Sequence, residues 1–284
     1  MNTFEEIIQK KYFAGIGFSD ERERQVFLSY IRGFALLVLD PSVKNILEIG
    51  GGQSTTLLAE LGRRLNWNIF TVDMNPEAIA LKIRSQSISD DTLRNIQFRK
   101  GVSIGTQAIC SYYECAIAKV GGVPFAEAVE ASSSFVETSM DARKAYPVAK
   151  ALGLEEFKVG AVLGAIVLAN RFAPELLKVF RTPGDELEHH ANTEPVQGCM
   201  KEIMDTGEID AVFLDSGEFS SLPEWEIIQA RLRPGGYVML HDIFFPKSFK
   251  NWIVCGAIRA NPGYEILYID RSTPQGLMVA QKKP

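Results

Sequence analysis

Five ionisable residues stand out as able to do chemistry: Glu48, Asp73, Asp215, His241 and Asp242. His241 and Asp242 are neighbours. An unperturbed imidazole titrates near neutral pH, which suits His241 to take a proton from a reacting group. Asp215 and Asp242 are hard oxygen donors of the kind a magnesium-like ion prefers, and such an ion acidifies a hydroxyl by another route. Plainer roles compete: Asp242 as a turn cap, His241 as the partner of a backbone carbonyl. Glu48 precedes three consecutive glycines, Gly50, Gly51 and Gly52. Without Cβ atoms, such a turn lets a ligand approach the main chain closely, although it is also compatible with a purely structural strand-to-helix turn. Asp73 follows, and an acidic residue about twenty residues beyond such a turn is placed to accept hydrogen bonds from ribose hydroxyls. Its alternative is to cap the next helix.

The elements that must position these groups alternate short apolar runs with longer amphipathic ones, the pattern of a parallel sheet covered by helices. Residues 45–49, 69–73 and 95–99 read as strands and 54–65 as a helix, and Pro76 suits the first turn of a helix ending near residue 87. Strand character returns at 210–215. A helix is expected near 223–232, a strand at 237–241 after Arg233-Pro234-Gly235-Gly236, and a helix at 248–260 closed by Asn261-Pro262-Gly263. The last two strands, 264–270 and 277–281, are joined by about six residues, whereas parallel neighbours need a crossover of a dozen or more. If they pair, they are antiparallel. Asp215 and His241-Asp242 then sit at the carboxyl ends of two strands, where open α/β sheets bind ligands.

Between 104 and 206 the alternation stops. Ala, Glu, Lys and Leu dominate, with breaks near Gly121-Gly122, Gly153 and Pro174, so an inserted helical subdomain is expected there, acting as a lid or substrate element. Residues 1–40 read as an N-terminal helical segment with Phe27, Ile31 and Phe34 on one buried face. The sheet domain is left as 41–103 plus 207–284.

The 284 residues are 46% hydrophobic and 23% charged, ordinary for a soluble globular protein. A net charge of -5 argues against a surface built for nucleic-acid phosphates. The start, Met1-Asn2-Thr3-Phe4-Glu5-Glu6, lacks the pattern of a secretion signal, and the most apolar stretch, 159–169, is too short to span a bilayer. Cys110, Cys115, Cys199 and Cys255 form no C-x-x-C pair, so reduced thiols in a cytoplasmic protein are expected. The expected partner is a small molecule, with no nucleic acid and no membrane; a homodimer stays open.

The dinucleotide fingerprint G-x-G-x-x-G would align Gly50 and Gly52 but meets Thr55 at its third glycine. Glu48 beside the turn would repel a pyrophosphate, whereas S-adenosylmethionine carries a sulfonium and an ammonium, both cationic. Here the chain resembles the class I methyltransferase family. Glu48, Gly50 and Gly52 are similar to its acidic-x-Gly-x-Gly motif, Asp73 to its ribose-gripping acid, 209–215 to its fourth-strand motif, and Leu232-Arg233-Pro234-Gly235-Gly236-Tyr237 to the turn before its fifth strand. The terminal hairpin is also typical of that family. The resemblance spans roughly 41–103 and 207–284. It implies a Rossmann-like, doubly wound, mostly parallel seven-stranded α/β sheet with an antiparallel last strand, carrying the inserted helical subdomain. It implies S-adenosylmethionine as cofactor, held by Glu48, Gly50, Gly51, Gly52, Asp73 and Met74, with Gly101, Val102 and Ser103 at the adenine positions. His241 and Asp215 are then the catalytic candidates. The metal-dependent O-methyltransferases of the family resemble the Asp215/Asp242 pair, which makes a Mg2+ site there an expectation. Their Asp-Asn pair is His241-Asp242 here, a departure that weakens it.

Other residues draw plainer expectations. Adjacent His189 and His190 point to different sides of a helix and form no chelating pair. Glu218, Phe219, Pro223, Glu224 and Trp225 are placed to shape a substrate pocket, Trp225 more often being a packing residue. Arg22, Arg24 and Arg32 read as exposed charge. O-methylation of a small molecule is the function these features favour. The alternatives are an NAD-dependent oxidoreductase and a non-catalytic S-adenosylmethionine-binding protein.

Overall fold

The computed structural model describes residues 20–85, 90–105, 107–109, 111–112, 199–200, 203, 207–217, 220–244 and 251–284, together with Phe18. Helix α1 (Glu21–Val38) is opened by Asp20, whose side chain accepts the Glu23 backbone N–H at 2.7 Å. Phe27, Tyr30, Ile31, Phe34 and Leu37 recur at helical spacing and are buried, so the expected apolar face is the observed one. Strand β1 (Asn45–Ile49) leads into α2 (Gln53–Leu65), and β2 (Asn68–Asp73) into α3 (Pro76–Ser85). The short α4 (Asp90–Leu93) precedes β3 (Ile96–Lys100). Further along the chain come β4 (Ile209–Leu214), α5 (Ser221–Arg231), β5 (Leu232–His241), α6 (Trp252–Ala260), β6 (Tyr264–Asp270) and β7 (Leu277–Lys282).

The seven strands form one sheet in the order β3-β2-β1-β4-β5-β7-β6. All pairs are parallel except those of β7, which runs antiparallel to both β5 and β6. The short connection between β6 and β7 accounts for the antiparallel pairing of those two strands, as its length predicts.

Alternation along the strands sorts the side chains between two cores. Ile46, Ile69, Ala211, Phe213, Tyr237, Met239, Leu277 and Val279 pack with α1 and α2 on one face. Leu47, Ile49, Val72, Val212, Leu214, Val238, Leu240 and Met278 pack with α5 and α6 on the other. The same parity sends Glu48, Thr71, Asp73, Asp215 and His241 toward the α1/α2 face. Gly33 lets α1 lie close: a Cβ there would come within 2.8 Å of both the Leu277 and Met239 side chains.

Two elements differ from expectation. Strand β5 begins at Leu232, so the Arg233–Gly236 segment expected as a turn lies inside it, with a register shift against β4 between Ile209 and Ala211. Arg233 is held there by Asp210, Nε to Oδ1 at 2.5 Å, and Asp210 Oδ2 accepts the backbone N–H groups of Lys44 and Asn45. Helix α6 is described from Trp252, and 245–250 lie outside the described residues. Most of the 104–206 segment, with His189 and His190, also lies outside them, as do 1–17, Glu218 and Phe219. The chain nevertheless leaves and returns at one place, because Cys199 N donates to Val102 O and Met200 N to Ser103 O. Among the described residues no helix is long and apolar enough to cross a membrane.

Candidate functional site

The three glycines after β1 do different jobs. Gly50 has φ +82°, and a Cβ on it would lie 2.1 Å from the carbonyl oxygen of Asp215. Gly51 packs under Ile79, whose Cδ1 would meet a Cβ at 2.3 Å. Only Gly52 opens outward, with no atom within 4 Å of its would-be Cβ. Two of the glycines are therefore demanded by the fold, and the third leaves its main chain approachable.

Glu48 does not stand beside the turn as an open charge. Its side chain is fully buried and accepts the hydroxyls of Ser54 (2.7 Å), Thr55 (2.9 Å) and Thr71 (2.8 Å). Burial pushes its carboxyl up to about 7 against the pull of those three bonds. Thr55, at the place of a third glycine, also accepts the Gly52 N–H at 2.9 Å. Glu48 thus braces the turn from beneath, through Thr55.

Asp73 holds the turn from its other side. Oδ2 accepts the Gly51 N–H at 3.0 Å and Oδ1 the Asn75 N–H at 2.7 Å. Its carboxyl is raised, by burial first, against those two bonds. The capping alternative falls away, because Asn75 Oδ1 takes the Ala78 N–H and so caps α3. Met74 forms the bend directly after β2. Ser103, expected at an adenine position, has its hydroxyl engaged within the protein. It is buried, and its hydroxyl donates to Oε1 of Glu224. Glu224, expected to shape a substrate pocket, is itself fully buried. Trp225 packs in the core, 5.4 Å from the Tyr264 ring.

At the ends of β4 and β5, His241 Nδ1 lies 3.2 Å from Asp215 Oδ2 and 3.7 Å from Asp242 Oδ1. Asp242 has φ +59°, the left-handed region, which turns the chain as it leaves β5. Asn251 fastens the two strand ends, its side-chain nitrogen donating to Leu214 O at 2.9 Å and His241 O at 2.8 Å. A residue not singled out in the sequence completes the group. The Tyr30 hydroxyl, on α1, lies 3.3 Å from His241 Nδ1 and is also hydrogen-bonded to Asp215. The Tyr30 ring meets Phe213 edge-on and His241 at a tilt. Burial, then the charges of Asp215, Asp242 and Glu48, hold its phenol well above the usual range, so it remains a hydrogen-bond donor. Arg32, expected as exposed charge, instead pairs with Asp270 at 3.2 Å and donates to Ser272 at 2.7 Å, tying α1 to the end of β6.

In the tautomer that donates from Nδ1 to Asp215 Oδ2, the accepting nitrogen is Nε2, which is itself buried. Donor atoms of Asp215, His241 and Asp242 all lie within 4.8 Å of one another, so a divalent cation could be held by these three side chains. The imidazole makes this set less suited to magnesium, which prefers oxygen, than to manganese or zinc.

A sheet ordered 3-2-1-4-5-7-6 with β7 reversed, a glycine turn after β1 and an acid closing β2 now stand together. This is the class I methyltransferase fold. No family model matches the chain, and no curated protein matches it in sequence. Among solved structures it is similar to a candidate O-methyltransferase from Klebsiella pneumoniae (13% identity, 100% of this chain and 92% of that one, TM-score 0.44). It is also similar to the O-methyltransferase from Bacillus cereus in complex with SAH (15% identity, 98% and 90%, TM-score 0.42). A third is the Streptomyces achromogenes O-methyltransferase involved in tomaymycin synthesis (12% identity, 100% and 92%, TM-score 0.42). In the methyltransferase fold described here, the Gly50–Gly52 turn, Asp73 and the Asp215/His241 pair lie at the carboxyl ends of adjoining strands, where such sheets bind ligands.

Proposed function

We propose that the chain is an S-adenosylmethionine-dependent methyltransferase acting on an oxygen of a small-molecule acceptor. The observation that carries this reading is the junction of Gly50 with Asp215, which sets the turn after β1 against the strand end that bears the acid–imidazole pair. The cofactor would supply a methyl group on a cationic sulfur. Gly52 offers it an approachable main chain, and Asp73 retains lone pairs for hydroxyl donors beside the two backbone bonds it accepts. For an oxygen acceptor, His241 would take the hydroxyl proton as the methyl group is transferred. Asp215 holds His241 in the required tautomer and offsets the positive charge that then develops on the ring.

The grouping of Asp215, His241 and Asp242 within 4.8 Å favours a second reading, in which these side chains bind a divalent ion and the ion, not His241, acidifies the acceptor. Residues 104–206, as the expected lid, would then select the acceptor. A negative net charge supports a small molecule over nucleic acid as that acceptor.

Calorimetry with S-adenosylhomocysteine and NAD tests the cofactor assignment: the first should bind and the second should not. Release of S-adenosylhomocysteine from S-adenosylmethionine across a panel of phenols, alcohols and amines tests the acceptor atom. Turnover confined to amines would overturn the oxygen assignment. Full activity after exhaustive chelation would remove the metal reading.

A further inference from the structure

Glu224 is a second buried carboxylate with no use in the chemistry above. It lies in the first turn of α5, fully buried. Its side chain accepts hydroxyls from three serines of two segments: Ser103 in the loop after β3, and Ser216 and Ser220 in the connection from β4 to α5, Ser220 being the N-cap of α5. Burial raises its carboxyl against those bonds. The placement is unusual in its reach. Strands β3 and β4 are not neighbours; β2 and β1 lie between them. The loop after β3 therefore crosses the carboxyl ends of two strands, on the α5 face, to meet the loop after β4. Glu48 braces the glycine turn on the opposite face in the same way, by three hydroxyls.

Secondary bonds stiffen the junction. Ser216 Oγ lies 3.1 Å from Ser221 Oγ, Ser221 Oγ donates to Gly217 O at 2.7 Å, and Ser220 Oγ accepts the Gly217 N–H at 3.1 Å. A buried carboxylate satisfied only by hydroxyls is costly to keep unless its geometry is wanted, since an apolar side chain would fill the same space without a desolvation penalty.

We infer that Glu224 is a positioning residue for cofactor binding: it clamps the loop after β3 to the loop after β4 at the carboxyl ends of the strands, and so fixes the rim on which the glycine turn after β1 lies. This rests on the methyltransferase reading. Ser103 acts through the clamp and not by touching the ligand.

The three donors allow a test that separates positioning from general stability. Ser103→Ala and Ser220→Ala each remove one hydroxyl from the same buried carboxylate, but only the first cuts the tie between the loops. Binding of S-adenosylhomocysteine by calorimetry should weaken about tenfold in Ser103→Ala and stay within about twofold in Ser220→Ala, while their melting temperatures fall alike. Glu224→Gln, which keeps the shape and one acceptor oxygen, should restore much of the affinity lost in Glu224→Ala. Equal affinities in Ser103→Ala and Ser220→Ala would overturn the clamp, as would unchanged affinity in Glu224→Ala. Failure of the wild-type chain to bind S-adenosylhomocysteine would instead overturn the methyltransferase reading and the clamp with it.

Discussion

The main chain of Asp215 passes so close to Gly50 that a Cβ on the glycine would lie 2.1 Å from the Asp215 carbonyl oxygen. Ile49 and Asp215 are also bonded there, Asp215 N to Ile49 O at 2.9 Å. The glycine turn after β1 and the strand end that bears Asp215 are therefore one rigid joint. Gly50→Ala meets both a backbone clash and a left-handed φ of +82°, and we expect it to destabilise the fold by roughly 3 kcal/mol or more. Denaturant unfolding would read this directly; a loss below about 1 kcal/mol would mean that the joint is compliant.

Gly52→Ala should behave in the opposite way. Its φ of 175° is open to any residue, and its Cβ would touch nothing in the protein. Stability should change by no more than about 0.5 kcal/mol, while affinity for S-adenosylhomocysteine falls at least about tenfold. Unaltered affinity would remove the turn from the cofactor site.

Glu48 gives the fold a pH dependence whose sign is fixed. Its carboxyl titrates near 7 when folded and near 4.5 when unfolded. Below 4.5 both states carry the proton. Between 4.5 and about 7 the unfolded chain releases it first, so stability declines across that window, by about 3 kcal/mol, and levels off above it. Glu48→Gln cannot titrate. Urea unfolding from pH 5 to 8 should show the wild type losing stability relative to the variant, and parallel curves would refute the shift.

How much of this was readable in the chain depends on distance along it. The run from Glu48 to Gly52, Asp73 and the close-spaced final strands are local signals, and each lies where the strand-and-turn pattern puts it. Even so, the sequence could not tell that Glu48 is sealed under the turn, because its partners Ser54, Thr55 and Thr71 mean hydroxyl bonds only once α2 and β2 pack around it. Tyr30 lies on the helix whose apolar face the spacing of Phe27, Ile31 and Phe34 marks, and nothing local singles it out. It meets His241 from 211 residues away, so only the seating of α1 on the sheet reveals it. The same holds for Ser103 and Glu224, which are 121 residues apart. Arg32 read as solvent-facing for the same reason, since Asp270 reaches it through the last hairpin.

Tyr30 also offers the sharpest test of the reacting end. Its hydroxyl bonds to Asp215 and stands 3.3 Å from His241 Nδ1, while its ring packs on Phe213. Tyr30→Phe keeps the ring and removes only the hydroxyl, so the fold should lose about 1 kcal/mol. If His241 is the base and Asp215 its orienting partner, the missing donor should lower kcat about tenfold and leave cofactor affinity within about twofold. His241→Ala removes the base itself and should lower kcat by about a hundredfold or more, again with cofactor binding kept. Asp215→Asn should resemble His241→Ala, because the amide cannot offset the charge that forms on the ring. Steady-state kinetics on any acceptor found in the panel, alongside calorimetry with S-adenosylhomocysteine, would measure all three variants. Wild-type kcat in His241→Ala would exclude the imidazole as base, and if chelation then abolished turnover, the divalent ion at Asp215 and Asp242 would take its place.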